Sequence, residues 1–241
     1  MSSDTLKQMI NMMYDESKYL IYETPMDKYN LEKFSEIYRD GLWGQHPMGF
    51  QRFYSGPGSH DPLLINPYVE SVSKFLSKFD HKPDVVDLGC GDFNVGSRYR
   101  SLCNSYIACD VVPELIEHNR KVFGHLSVDF KVLDLAHDEL PLGDIVFVRQ
   151  VFQHLSNASI KLAVEKIKNT FRYLVLTEHV PSYDAFIPNL DKMSGADIRI
   201  DKNSGVVLTK SPFNLVPLEE IEICKVYGYG GLIKTTLYKL T

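Results

Sequence analysis

Residues 85–93 read VVDLGCGDF, and this stretch decides the fold. Its first four residues form a short run of mostly apolar side chains, which is typical of a buried parallel strand. The run ends at Gly89-Cys90-Gly91, where two glycines let the backbone turn sharply and leave the main chain open to a ligand. A third glycine is absent two positions further on, where Phe93 stands, and the stretch is neither a GxGxxG fingerprint nor a phosphate loop. We therefore predict a strand, a tight turn and a ligand site of another kind.

Strands and helices alternate from residue 84 onward. Short apolar runs predict five strands, at Val85–Leu88, Tyr106–Cys109, Asp129–Leu133, Ile145–Val148 and Tyr173–Thr177. Helical spacing predicts helices over Glu114–Phe123 and Ile160–Phe171, with Pro113 and Ser156 placed to start them. Two further runs, Glu220–Tyr227 and Leu232–Leu240, flank a Gly-Tyr-Gly-Gly turn and predict a β-hairpin. This order predicts a doubly wound α/β sheet with an antiparallel edge strand.

The first sixty residues follow a different pattern. Apolar residues recur at helical spacing over Leu6–Met13 and again over Leu31–Tyr38, which predicts two amphipathic helices. A loop rich in glycine, proline and aromatic residues follows over 41–62, and an apolar face over Ile65–Phe79 predicts a further helix. We predict an N-terminal helical cap and lid loop over residues 1–60 and a ligand-binding domain over 61–241.

The composition of the 241 residues excludes several classes of protein. With 44% hydrophobic and 24% charged residues, the chain is an ordinary globular protein. A net charge of −5 and the absence of a basic run argue against a nucleic-acid partner. The apolar runs are too short for membrane insertion, and the N-terminus lacks the apolar core of a secretion signal. Four cysteines without a CxxC pair indicate reduced thiols, so we expect a cytoplasmic protein. The oligomeric state stays open, a homodimer included.

Polar side chains stand where successive predicted strands end, and ligands bind at that edge of an open α/β sheet. Asp110 ends the second strand and can accept both hydroxyls of a ribose. Asp134 ends the third strand and can accept a hydrogen bond from an exocyclic adenine amine. The fourth strand ends in Arg149-Gln150 and the fifth in Glu178-His179. A glycine turn, two acids and two polar pairs in this order indicate an adenosine-bearing cofactor without a pyrophosphate.

Each of these features also has a purely structural explanation. A GxG after a strand suits any tight turn, Asp110 could cap the following helix, and Asp134 could be a solvated turn residue. Their common register with five strands favours the functional interpretation. The run His137-Asp138-Glu139 could suggest a metal site, but adjacent residues do not readily converge on one ion. We interpret it as a solvated turn and predict no required metal.

On these residues the sequence resembles class I S-adenosylmethionine-dependent methyltransferases over about residues 84–240. VVDLGCGD and CDVVPELIEHN resemble the first two motifs of that family, and FKVLDL and GDIVFVRQVFQHLSNASI resemble the next two. The resemblance implies a seven-stranded, mostly parallel sheet whose last strand runs antiparallel. Further stretches, among them SGPGS (55–59), PNLDKMSGADIR and SPFNLVP, resemble a bacterial group linked to surface polysaccharide biosynthesis.

The resemblance also implies which residues bind S-adenosyl-L-methionine. They are Asp87, Gly89, Gly91, Asp110, Val111, Asp134, Leu135 and Gln150. The two glycines would pass beneath the methionine part, Asp87 would reach its ammonium and Gln150 would sit near the same end. Asp110 would hold the ribose, and Asp134 with the backbone of Leu135 would meet the adenine. Tyr54 and Trp43, with the SGPGS loop, would close over the bound molecules.

Methyl transfer from a sulfonium needs an aligned acceptor and, for a hydroxyl acceptor, a base. His179 and His154 are the candidate bases, and each could instead have a structural role. Glu178 could orient His179 or take the proton itself. Arg149 could bind an anionic acceptor such as a phosphate or uronate, or form an ion pair with a nearby acid.

We therefore expect an enzyme that methylates a hydroxyl of a sugar or nucleotide-sugar type of small molecule in bacterial capsule or surface polysaccharide biosynthesis. One alternative is a nitrogen acceptor, on an amino sugar or a phosphoramidate-type group. Another is a methyltransferase-like scaffold that holds a partner through its N-terminal helices.

Overall fold

A computed structural model describes residues 26–45, 52–183 and 185–241. The helix predicted over Leu6–Met13 lies outside these ranges. Helix α1 spans Met26–Arg39 and covers the second predicted amphipathic segment. Its apolar side chains at Phe34 and Ile37 are buried, as the helical spacing predicted.

The described strands form one seven-stranded sheet in the order β3-β2-β1-β4-β5-β7-β6. They are β1 (Val85–Leu88), β2 (Tyr106–Asp110), β3 (Asp129–Val132), β4 (Ile145–Arg149), β5 (Tyr173–Val180), β6 (Glu219–Gly228) and β7 (Gly231–Lys239). Strands β1 to β5 pair in parallel, and β7 runs antiparallel to both β5 and β6. The predicted seven-stranded sheet with an antiparallel last strand is confirmed. The strand order reverses between β1 and β4, which makes that crevice the topological switch point.

Three further helices begin where the sequence carries a start signal. They are α2 (Pro62–Leu76), α3 (Pro113–Phe123) and α4 (Asn157–Thr170). The Asp61 side chain accepts the Leu63 N–H at the start of α2, and Ser156 Oγ accepts the Ser159 N–H at the start of α4. Pro113 stands at the first turn of α3, as predicted.

No helix in the described ranges is long and apolar enough to cross a membrane.

Two apolar layers sandwich the sheet because side chains alternate along each strand. Val86 and Leu88 of β1 pack into one layer with α1 and α4. Val85 packs into the other layer with α2 and with Ile116 of α3. Every residue of β1 is buried, which explains why its sequence is apolar at three of four positions and does not alternate with exposed polar residues.

Phe93, the residue that replaces a third glycine, belongs to the core. Its backbone adopts a φ of 58°, and its fully buried ring packs edge-to-face on Tyr106, Phe123 and Phe130. Gly96 provides the room for this ring, because a Cβ at that position would lie 2.5 Å from Phe93 Cε2. The turn after β1 therefore keeps its tight shape while the bulky side chain points away from it.

The segment between β5 and β6, residues 181–218, crosses the carboxyl end of the sheet without an α-helix in its described part. The buried Arg199 guanidinium fixes it by donating to the carbonyls of Leu190, Phe152 and Leu155. Strand β5 extends beyond its predicted end at Thr177. Glu178 and His179 therefore lie within the strand, opposite Lys234 and Ile233 of β7.

We predict that Gly96→Ala destabilises the protein by about 1–3 kcal/mol, because the added methyl overlaps an immobile ring in a packed core. Gly124→Ala is the matched control, since a Cβ at Gly124 meets nothing within 4 Å. Urea unfolding of both variants measures the difference. Equal stability of Gly96→Ala and the wild type would contradict this account of Phe93.

Candidate functional site

A cavity of about 400 Å³ lies at the carboxyl ends of the central strands. Its volume is that of a small-molecule site. The predicted residues that line it are Asp87, Gly89, Gly91, Asp110, Val111, Asp134, Leu135, Arg149, Gln150, His154 and His179. Tyr54 and Glu178 are not among the lining residues. Residues that the sequence spreads over almost a hundred positions thus share one cavity.

Asp110 connects the end of β2 to the glycine turn. Its Oδ2 accepts the Gly91 N–H at 3.1 Å, and its Oδ1 accepts the Val112 N–H, also at 3.1 Å. Burial raises the pKa of Asp110 to about 6, and the backbone N–H groups oppose that shift. The bond to Val112 just before α3 fits the capping explanation, but each oxygen keeps acceptor capacity toward the cavity.

Asp87 stands on the other side of the glycine turn. Its Oδ2 accepts the Tyr106 hydroxyl at 2.9 Å. Burial raises the pKa of Asp87 to about 7, while the Tyr106 hydroxyl and the positive charge of Arg149 act in the opposite direction. A cationic group bound beside Asp87 would favour its ionised form.

The two glycines of the turn are required by close packing. Both have positive φ, 76° at Gly89 and 56° at Gly91. A Cβ at Gly89 would lie 2.4 Å from Val151 Cγ2, and one at Gly91 would lie 2.5 Å from Ser55 Oγ. The close approach at Gly91 is therefore made by Ser55 of the loop at 55–59.

Asp134 is held by a residue that the sequence patterns did not reveal. Asn30 of α1 lines the cavity and donates its side-chain amide to Asp134 Oδ2 at 3.0 Å. Asp134 Oδ1 accepts the Ala136 N–H, and the His137 ring lies 3.1 Å from Oδ2. Asn30 stands one helical turn before Phe34 on the apolar face of α1. A polar residue in that register was the one available signal.

The SGPGS loop is fastened to the residue that follows the glycine turn. The Ser55 N–H donates to Asp92 Oδ2 at 2.9 Å, and the Asp92 N–H donates to Ser55 Oγ at 2.8 Å. The His60 ring contacts the same Asp92 oxygen at 2.6 Å, and the Tyr38 hydroxyl contacts Ser55 Oγ at 2.9 Å. We call Tyr38, Ser55, His60 and Asp92 the clasp. Sequence reasoning missed Ser55–Asp92 as a pair because 37 residues separate them.

Aromatic rings cover the cavity beside the clasp. Trp43 packs edge-on against Tyr38 and lies 5.0 Å from the His154 ring, centroid to centroid. Its indole N–H donates to the Ala196 carbonyl at 3.4 Å. Tyr54 lies against His60, with ring centroids 4.6 Å apart, outside the cavity lining.

Arg149 binds the SGPGS loop (residues 55–59) and does not form an ion pair with an acidic side chain among the described residues. One terminal nitrogen donates to the Gly58 carbonyl at 2.7 Å, and the other contacts Ser59 Oγ and Gln150 Oε1. Its guanidinium lies over the Tyr68 ring. The ion pairs of the described residues do not include Arg149. Gln150 itself has a φ of 55° and donates its N–H to the Thr177 carbonyl.

The two histidines of the cavity differ in what they can do. His154 Nδ1 contacts the Gly195 carbonyl, which accepts, and burial lowers the pKa of His154 to about 4. Its ring thus ties down backbone, as the structural explanation expects. His179 Nε2 lies 3.1 Å from the Gly228 carbonyl and must donate to it, which leaves Nδ1 with a lone pair. Burial lowers the pKa of His179, so the ring is neutral at pH 7.

Glu178 supports the turn after β4. Its Oε1 accepts the Phe152 N–H at 3.1 Å, and burial raises its pKa to about 8 against the opposing charge of Arg199. This contact directs the carboxyl toward protein backbone. His137 and Asp138 likewise bond within the 134–138 turn, and the described residues hold no cluster of three metal-ligating side chains.

Comparison with solved structures identifies the fold of this chain. Neither a protein-family model nor a curated protein matches the sequence. The N-methyltransferase NodS from Bradyrhizobium japonicum WM9, solved with S-adenosyl-L-homocysteine, superposes with a TM-score of 0.57 at 12% identity, over 76% of this chain and 90% of that one. The N-terminal domain of EvdMO1 with the same ligand superposes with a TM-score of 0.56 at 14% identity, over 86% of this chain and 96% of that one. The DhpI complex with that ligand superposes with a TM-score of 0.53 at 11% identity, over 87% of this chain and 97% of that one. The chain thus has the class I methyltransferase fold that the sequence predicted.

We predict that Glu178→Gln flattens the pH dependence of stability. The folded pKa near 8 exceeds the ordinary value of 4.5, so the folded state keeps a proton that the unfolded state releases. The free energy of unfolding should fall as pH rises from about 4.5 to about 8 and level off above. Urea titrations across this range should show a smaller slope for Glu178→Gln, and an unchanged slope for the exposed control Glu165→Gln. Identical slopes in all three proteins would exclude this role.

Proposed function

We propose that the chain is an S-adenosyl-L-methionine-dependent methyltransferase that acts on a small molecule. The observation that carries the proposal is the hydrogen bond from the Gly91 N–H to the Asp110 carboxylate inside the cavity. It joins the ribose-binding acid to the glycine turn at the switch point of the sheet, where such folds bind ligands. The three compared structures were solved with S-adenosyl-L-homocysteine, which supports the same ligand class here.

The cavity residues fit the parts of this cofactor. Asp110 retains acceptor capacity for two ribose hydroxyls, and Val111 beside it is apolar. Asp134 and Leu135 provide a polar edge and an apolar surface for the adenine. Asp87, the two glycines and Gln150 would then surround the methionine part. The cofactor would supply an activated methyl group. The chain's own residues would align the acceptor, exclude water and take up the proton.

We propose a sugar or sugar-linked hydroxyl as the acceptor, in capsule or surface polysaccharide biosynthesis. The resemblance of the SGPGS and SPFNLVP stretches supports this role. The EvdMO1 domain was also solved in the presence of D-fucose, a sugar, and that structure superposes on this chain with a TM-score of 0.54 at 11% identity. A nitrogen acceptor on an amino sugar or phosphoramidate-type group is the second candidate, and NodS is an N-methyltransferase.

His179 is the proposed general base. Its neutral ring and free Nδ1 suit it to take a proton from a hydroxyl, whereas the ring of His154 is committed to Gly195. The rings of Phe34, Tyr38 and Trp43 would exclude water. Because Arg149 already holds Gly58 and Ser59, we assign it to positioning the loop and not to binding an anionic acceptor.

We also propose that residues 1–60 act as a cap on a domain formed by residues 61–241. Asn30, Tyr38 and Trp43 line the cavity from the described part of that segment. Cofactor binding without turnover over a broad panel of acceptors would favour the scaffold alternative instead.

We predict that Asp110→Asn weakens S-adenosyl-L-homocysteine binding by about 10- to 100-fold, because the ribose hydroxyls lose a charged acceptor. Titration calorimetry measures the affinity. The exposed acid Asp129, at the opposite end of the sheet, gives the control Asp129→Asn, for which no change is expected. Unchanged affinity of Asp110→Asn would refute its role, and no binding by the wild type would refute the cofactor.

We predict that His179→Ala lowers turnover of a hydroxyl acceptor by about 10²–10⁴-fold while cofactor affinity stays the same. The wild-type rate should fall as pH drops through the histidine pKa, which burial places below 6.5, because the protonated ring is no base. The variant should lack that limb. His125→Ala, at an exposed histidine, serves as the control. Little loss of turnover would favour a nitrogen acceptor or remove His179 from the mechanism.

A further inference from the structure

Gln153 presents an unpaired acceptor in the cavity wall. Its side chain lines the cavity, and only 5% of the residue is exposed. The amide nitrogen contacts the Gln150 carbonyl at 3.4 Å and His154 Nε2 at 3.2 Å. Because His154 Nδ1 donates to Gly195, its Nε2 must accept, and both amide hydrogens of Gln153 are thus used. Gln153 Oε1 is buried and has no partner among the described residues.

Two further acids, Asp197 and Asp201, line the same cavity. Asp197 is paired with Lys192, whose Nζ lies 3.1 Å from Asp197 Oδ1. Asp201 forms none of the ion pairs found among the described residues. Among the described residues that line the cavity, Arg149 is the one Lys or Arg, and its terminal nitrogens are used by the loop. The cavity therefore carries an excess of negative charge.

Asp201 lines the same cavity as Gln153 and His179. The Arg199 guanidinium donates to the Gln153 carbonyl at 3.2 Å, and Asp201 lies two residues further along the same turn. The negative charge of Asp201 also acts on the His179 ring. We call Gln153, His179 and Asp201 the acceptor wall. Its unengaged groups are a carbonyl oxygen, a ring lone pair and a carboxylate, all of which accept hydrogen bonds.

We infer that the methyl acceptor carries an ammonium group and that Gln153 and Asp201 bind it, an inference that rests on the proposed function of the cavity. A buried carbonyl oxygen without a partner is unfavourable until a donor reaches it. An ammonium supplies up to three donors and the charge that Asp201 attracts. An amino sugar meets this requirement and still carries hydroxyls for methylation. An acceptor with a phosphate or uronate group would be repelled by the negative charge of the acceptor wall, and the wall offers no free hydrogen-bond donor to bind it.

Direct binding tests the inference without requiring turnover. The protein, saturated with S-adenosyl-L-homocysteine, is titrated with small amines that include hexosamines. Each amine is paired with its N-acetyl derivative and with a carboxylate of similar size. We expect the amines to bind more tightly than both partners. Equal binding of the three classes, or undetectable binding of all of them, overturns the inference.

Two variants locate the binding. Gln153→Met keeps the size of the side chain but removes its amide, both the carbonyl oxygen and the donors to Gln150 and His154, and it should weaken amine binding by about tenfold. Asp201→Asn should weaken it by about two- to fivefold, as for an exposed charge pair. Both should leave the N-acetyl derivatives unaffected, and the exposed control Glu165→Gln should change neither class. Equal losses for amines and N-acetyl derivatives would indicate a structural effect and overturn the assignment.

Failure of this inference is distinguishable from failure of the proposed function. If the wild type does not bind S-adenosyl-L-homocysteine, the proposed function fails. If it binds that ligand but does not prefer amines, the proposed function stands and the ammonium assignment falls.

Discussion

The hydrogen bond between the Gly91 N–H and the Asp110 carboxylate is the interaction on which the site depends. It ties the turn after β1 to the end of the neighbouring strand, so the two positions move as one. The turn that presents this N–H includes a φ of 56° at Gly91, which glycine adopts without the strain of a side chain. Asp110 can remain in a buried position because backbone groups satisfy part of its acceptor capacity. The same carboxylate is then oriented toward the cavity, where its remaining capacity is available to a ligand.

Local sequence patterns were sufficient for most of the fold. The mostly apolar run at 85–88 predicted a strand buried on both faces, and Pro113 and Ser156 marked helix starts to within a residue. Parallel strands also place their carboxyl ends at one edge, which is why acids chosen by position, such as Asp134, meet in one cavity. These features depend on a few neighbouring residues or on the geometry of the sheet, so the sequence contains them directly.

The remainder of the site depends on contacts between distant segments. Asn30 reaches Asp134 across 104 positions, and Arg149 reaches the Gly58 carbonyl across 91. No periodicity encodes which donor meets which acceptor, because pairing follows from how the segments pack. Arg149 illustrates the difficulty, since a cation at a strand end suggested an anion site while its donors bind backbone. Glu178 is a second example, because its position beside His179 suggested a catalytic role while its carboxyl accepts the Phe152 N–H.

Phe93 and Gly96 impose a coupled constraint on how this chain can diverge. The ring occupies the volume that a side chain at 96 would need, so neither position can change freely while the other stays as it is. A Cβ at position 96 would also lie 2.8 Å from the Tyr106 hydroxyl oxygen, so a smaller residue at 93 alone would not release the glycine. Positions 93, 96 and 106 are therefore constrained together, because the Tyr106 ring packs on Phe93 and its hydroxyl borders the same space at Gly96.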